Sequence, residues 1–78
     1  MTDYRPIDCG LHSEYELLVM EHRSCRLGWR DPSGTGYSRL VTPTDLYTRN
    51  HEEYLQVTDT SGVIHDIRLD RIQHCTPV

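Results

Sequence analysis

The chain has 78 residues, enough for one small domain, and a domain of that size buries only roughly 60% of the surface its unfolded chain exposes. Its 12 acidic side chains against 8 basic ones leave a formal charge of −4 with histidine neutral. That balance argues against the cation-rich surface of an ordinary nucleic-acid binder and suits a partner that is itself basic. No stretch nears the roughly 20 apolar residues of a membrane span, and no basic-then-apolar leader opens the chain. The 3 cysteines are widely spaced and odd in number, which reads as reduced thiols in a cytoplasmic protein and not as a disulfide framework.

All the basic side chains are arginine, which a genome-composition bias explains, and Phe and Ala are absent. Leu, Ile, Val, Tyr and Trp nevertheless recur periodically, so the chain is expected to fold as a single domain over 1–78. It shows no repeats, low-complexity tracts or linkers, and residues 1–3 are expected to fray. Pro6 fixes an extended arm. Asp8 then suits the N-cap of a helix from about Cys9 to Met20, although Ser13-x-x-Glu16 is a capping box that would start it later. Leu11, Tyr15, Leu18 and Val19 form one apolar stripe, and His12, Ser13 and Glu16 share the polar face.

Cys25, Leu27 and Trp29 alternate with polar or small residues as in a half-buried strand, and residues 31–36 are a turn cluster. Tyr37 to Thr42 forms the next strand. Pro43 is expected to stop it, with Thr44 capping one helical turn over 45–49. Tyr54 to Thr58 is a third strand with Leu55 and Val57 on one side, and Ser61-Gly62 makes a hairpin turn. Val63 to Leu69 is a fourth strand with Val63, His65, Ile67 and Leu69 on one face. Ile72 to Cys75 is a short fifth. One helix and about five antiparallel strands give an α+β, mainly β fold, expected to close as a small barrel that leaves no free sheet edge.

Several constellations invite a chemical reading. Cys9-x-x-His12 and His74-Cys75 could supply the four ligands of tetrahedral zinc, but adjacent His-Cys ligands are unusual, and no metal is expected. Cys9 at a helix start with His12 one turn on has the makings of a nucleophile pair. A chain this short makes no deep pocket, and it carries no Gly-x-Ser-x-Gly, P-loop or His-Glu-x-x-His, so neither catalysis nor a cofactor is expected. Arg23, Arg26 and Arg30 near Trp29 could meet a stacked base, yet they are interleaved with acids. The acidic cluster of Asp8, Glu14, Glu16 and Glu21, joined in sequence by Asp3, and later Glu52 and Glu53, is the more distinctive surface.

The opening Tyr4-Arg5-Pro6-Ile7-Asp8-Cys9, then His12 and Glu16, resembles the start of the Rof family, the Rho-binding antiterminators of bacteria. The strand opening Glu53-Tyr54-Leu55 and the later Ile67-Arg68-Leu69-Asp70-Arg71-Ile72 extend the resemblance from about Tyr4 to Ile72. It implies an Sm-like, strongly bent barrel with an N-terminal helix. It also implies a protein without enzyme activity or cofactor, which binds the N-terminal RNA-binding region of the Rho termination factor and keeps transcript from engaging; the chain itself is expected to be a monomer. By the resemblance, Asp8, His12, Ser13 and Glu16 on the helix are contact residues, together with Arg49 and Asn50 before the Glu-Tyr-Leu strand. Ser13 stands where the family has an acidic residue, and the Gly34–Gly36 loop is longer than the family's usual turn. The alternative is an Sm-like RNA-binding or general protein-interaction module.

Overall fold

The N-terminal arm leads into a 13-residue helix, α1 (Cys9–Glu21), in a computed structural model that describes residues 4–78; the fraying expected of 1–3, and Asp3 of the acidic cluster, lie outside the described residues. Asp8 is the cap: its Oδ1 accepts the Gly10 amide at 3.2 Å, and its carbonyl takes the first helical bond, from His12 N–H at 3.0 Å. The helix ends at His22, which takes the left-handed conformation (φ 50°) usually left to glycine, while the Arg23 amide donates back to the Leu18 carbonyl at 3.0 Å. The expected stripe holds. Tyr15 and Leu18 are buried, and Leu11 and Val19 pack against the core.

Five antiparallel strands follow: β1 (Cys25–Arg30), β2 (Gly36–Arg49), β3 (Glu52–Asp59), β4 (Ile64–Arg68) and β5 (Ile72–Pro77), in the sheet order β4-β3-β2-β1-β5. The expected break at Pro43 and the helical turn over 45–49 are absent. β2 runs unbroken for 14 residues, its first part pairing with β1 and its second with β3. Pro43 is tolerated because β1 ends opposite Val41, so the strand beyond has a neighbour on one side only, and a bulge between Pro43 and Asp45 absorbs the irregularity. Pairing with β3 overrides the local helical signal of Thr44 to Arg49.

The core is the buried set Cys25, Leu27, Trp29, Val41, Leu55, Val57, Ile67 and Leu69, covered by Tyr15 and Leu18 of α1. The sheet curls tightly around it. Trp29 of β1 and His65 of β4 are three strands apart, about 14 Å in a flat sheet, yet their ring centroids lie 5.5 Å from one another.

Closure is where the barrel expectation is corrected. Among the described residues β4 pairs with β3 alone and β5 with β1 alone, so the sheet stays open. The fourth strand is shorter than expected: Val63 belongs to the exposed turn, and Leu69 opens a 3-10 turn (Leu69–Arg71) that carries the chain to β5. Side-chain contacts hold this corner in place of a ladder. Asp70 receives Arg68 Nε at 2.6 Å and Nη2 at 3.1 Å, and also the Arg5 amide at 3.1 Å. Tyr4 lies under the Arg68 guanidinium, and Tyr4 and Ile7 pack against the core.

Candidate functional site

His12 organises the most distinctive polar site on the molecule. Its Nδ1 lies 2.8 Å from Glu16 Oε1, one turn along α1, and its Nε2 lies 2.6 Å from Glu53 Oε2 on β3. The helical spacing of four residues delivers the first contact. The second depends on sheet register: Glu53 pairs with Thr48 of β2, and both share the face on which Leu46 and Leu55 meet the helix. An imidazole flanked by two carboxylates fastens α1 to the end of the β2–β3 hairpin.

Beside this cluster, α1 and β2 enclose a cleft of about 370 Å³. Glu16, Glu53 and Asp45 give it an acidic rim, and Val19, Met20 and Leu46 give it an apolar wall. Met20 is 76% exposed, an apolar side chain left open to solvent at the cleft. Asp45 is held in place by the Leu46 amide, which donates to its Oδ1 at 2.8 Å. A cleft of this chemistry takes a cationic side chain with an aliphatic stem, as arginine and lysine have.

Of the residues singled out by sequence, His12 and Glu16 meet in this cluster. Asp8 is exposed at the N-terminal end of the same helix, engaged as its cap, and Ser13 is exposed beside His12. Arg49 and Asn50 lie one and two residues beyond Thr48 and take no part in the cleft. The Arg49 guanidinium sits over the rings of Tyr47 (6.0 Å) and Tyr54 (5.3 Å), which stack at 5.4 Å on the outer face of the sheet. The Glu52 carboxylate accepts the Tyr54 hydroxyl at 2.7 Å and raises its pKa. Asn50 and His51 both adopt positive φ (52° and 64°), so Asn50 serves the tight turn itself.

Glu53, counted with the later acidic pair, and Asp45, assigned to a helical turn, are the cleft carboxylates that sequence reasoning did not bring to His12. The available signal was the asparagine at 50, which suits a two-residue hairpin turn and would have set Glu53 opposite Thr48. The residues weighed as zinc ligands are scattered. His12 is held by Glu16 and Glu53, Cys9 is exposed, and the His74 ring lies over Gly28, on the face of β5 opposite to Cys75. Among the described residues no three His, Cys, Asp or Glu side chains converge as a metal site requires, and no helix is long and apolar enough to cross a membrane.

Comparison with known proteins places the fold and leaves the function open. No family model matches the chain, and no curated protein matches it. Among solved structures, Proteasome accessory factor B/C (PafBC) of Arthrobacter aurescens contains a similar fold, with a TM-score of 0.77 at 20% sequence identity. The match covers 96% of this chain and 12% of that one, so this chain corresponds to a small part of the larger protein.

Proposed function

We propose that this chain is a protein inhibitor of the Rho transcription termination factor, acting in the cytoplasm as a monomer without cofactor or catalytic step. The observation that carries the reading is the acidic cleft of Glu16, Glu53 and Asp45 beside the Asp8 cap, set on the helix whose sequence resembles the Rof family. An RNA site on Rho must present arginine and lysine to phosphates. Carboxylates on a rigid helix and strand occupy those cations through charge-assisted bonds and keep RNA out. Asp8 and Ser13 extend the contact along α1, while Arg49 and Asn50 meet the partner from the hairpin tip.

The test is retention of purified Rho on the immobilised protein, with and without a C-rich RNA. Rho is expected to be retained, and RNA is expected to release it. Glu16 is exposed, so Glu16→Arg is expected to stay folded and to weaken binding by at least about tenfold, since it sets two cations against each other at the contact. A folded Glu16→Arg protein that binds as tightly as the parent removes α1 from the interface.

A second reading, an RNA-binding module, draws on the outer face, where stacked Tyr47 and Tyr54 with Arg49 above them resemble a platform for bases. Binding of RNA in the absence of Rho, lost in Tyr54→Ala, distinguishes it.

A further inference from the structure

Two of the cysteines meet where the site's chemistry does not use them. Cys25 is fully buried on β1 and Cys75 is half-buried on β5. In the β1–β5 ladder Cys75 pairs with Leu27, and Cys25 pairs with Pro77. The two thiols are therefore diagonal neighbours on the core face of the sheet. Interaction between the two thiols, then burial, pushes the Cys25 pKa up, and the same interaction lowers that of Cys75. A groove of about 190 Å³ leads from solvent to Cys75 between α1 and the end of β5, with Leu17, Glu21, Arg23 and Pro77 among its walls. The outer thiol is thus the accessible one, and the buried thiol is its immediate neighbour.

We propose that Cys25 and Cys75 form a redox-modification site, in which hydrogen peroxide oxidises Cys75 and Cys25 then resolves it to a disulfide joining β1 to β5. In the first step the Cys75 thiolate attacks the peroxide, the O–O bond breaks, and the sulfenic acid forms with release of hydroxide, which takes up a proton as water. In the second, the Cys25 sulfur attacks the sulfenic sulfur, an S–S bond forms, and the hydroxyl leaves as a second water with the Cys25 proton. Two thiols are oxidised and one peroxide is reduced. A small neutral oxidant suits the groove because Glu14 and Glu21 flank it, and they disfavour anionic disulfides. The sulfurs must close to about 2 Å, and β5 is the element able to shift, since as an edge strand it pairs, among the described residues, with β1 alone. Tyr15, on the buried side of α1, lines the same groove as Cys75, and burial, then the charges of Cys75, Glu14 and Cys25, push its pKa up to about 12. Oxidation therefore acts on the underside of the helix that carries His12 and Glu16.

The test treats the whole protein with one equivalent of hydrogen peroxide, blocks remaining thiols with N-ethylmaleimide and cleaves after arginine. The expected product is peptide 24–26 linked to peptide 72–78 with loss of two hydrogens, while Cys9 carries maleimide. Preferential oxidation of Cys9, linkage between two chains, or sulfinic acid at Cys75 with Cys25 still alkylated would overturn the proposal. In Cys25→Ser, Cys75 is expected to stop at the sulfenic acid and be trapped by dimedone. Should that buried substitution prevent folding, Cys75→Ser replaces it. There Cys25 is expected to stay reduced under the same treatment, and its oxidation would refute the assigned order.

Discussion

At the scale of single residues, Gly28 shows how a missing side chain fixes a neighbour. Gly28 pairs with His74 across β1 and β5, and a Cβ placed on it would lie 2.0 Å from the His74 ring. The ring therefore occupies the space that any other residue at 28 would fill. Gly28→Ala is expected to lower stability by about 1 kcal/mol, the cost of an overpacked contact whose partner is exposed enough to move. In a His74→Ala background the same substitution is expected to be neutral or stabilising, because alanine outranks glycine in a strand. Urea midpoints for the four proteins of this double-mutant cycle decide it; equal costs in both backgrounds would sink the account. Sequence showed Gly28 only as a small residue in an alternating strand, since its conflict with His74 depends on a register between residues far apart in the chain. The candidate site divides in the same way. His12 and Glu16 were legible from helical spacing, whereas Glu53 reaches them through a strand pairing that no local pattern encodes.

At the scale of elements, the two other hairpin loops are copies of one device. Asp31-Pro32-Ser33-Gly34-Thr35 joins β1 to β2, and Asp59-Thr60-Ser61-Gly62-Val63 joins β3 to β4. In each, the aspartate Oδ1 accepts the amides two and four residues on, at 3.0 and 3.0 Å in the first loop and 2.8 and 3.1 Å in the second. In each, the glycine has positive φ (91° and 82°) and its amide donates to the aspartate carbonyl at 2.9 and 3.0 Å. This is a type I turn followed by a left-handed residue, stabilised by an Asp that mimics a backbone acceptor. Sequence reading marked both as turns but missed that they are the same turn, because the shared Asp-x-Ser-Gly is short and its flanks differ. The equivalence makes Pro32 and Thr60 counterparts. Proline preorganises that position in the first loop, so Thr60→Pro is expected to raise stability by about 0.4–1 kcal/mol through the unfolded state. A lowered thermal midpoint would show that the two backbones differ at that position. β2 teaches the opposite lesson: Pro43 and Thr44 gave a clear local stop-and-cap signal, and pairing with β3 overruled it.

At the scale of the whole molecule, the helix and five strands were legible in chain order, while closure was not. Whether β4 meets β5 depends on where β4 ends. The 3-10 turn at Leu69–Arg71 and its Asp70 contacts with Arg68 and Arg5 decide that, and none of these follows from alternation. An open curled sheet relies on its loops to hold the hairpins together, and both Asp loops carry carboxylates with pKa values below the ordinary range. Hydrogen bonds from Ser33, then Thr35 and Tyr37, lower Asp31; the bond to His65 (2.9 Å), then the Val63 and Ser61 amides, lowers Asp59. A carboxyl with a lower pKa when folded binds its proton more readily in the unfolded chain. The stability it contributes is therefore complete above the unfolded value of about 4 and is lost as pH falls through the folded value. The domain is accordingly expected to lose urea resistance steeply below about pH 4, where the unfolded chain takes up protons that these loops exclude. The variant Asp31→Asn, Asp59→Asn is expected to be less stable than the parent at neutral pH, with a shallower decline on acidification. Its amides keep part of the loop hydrogen bonding but cannot titrate. Urea midpoints of both proteins, followed from neutral pH into acid, make the comparison. If the two decline in parallel, the acid sensitivity lies in other carboxylates, and the loops are not what links stability to pH.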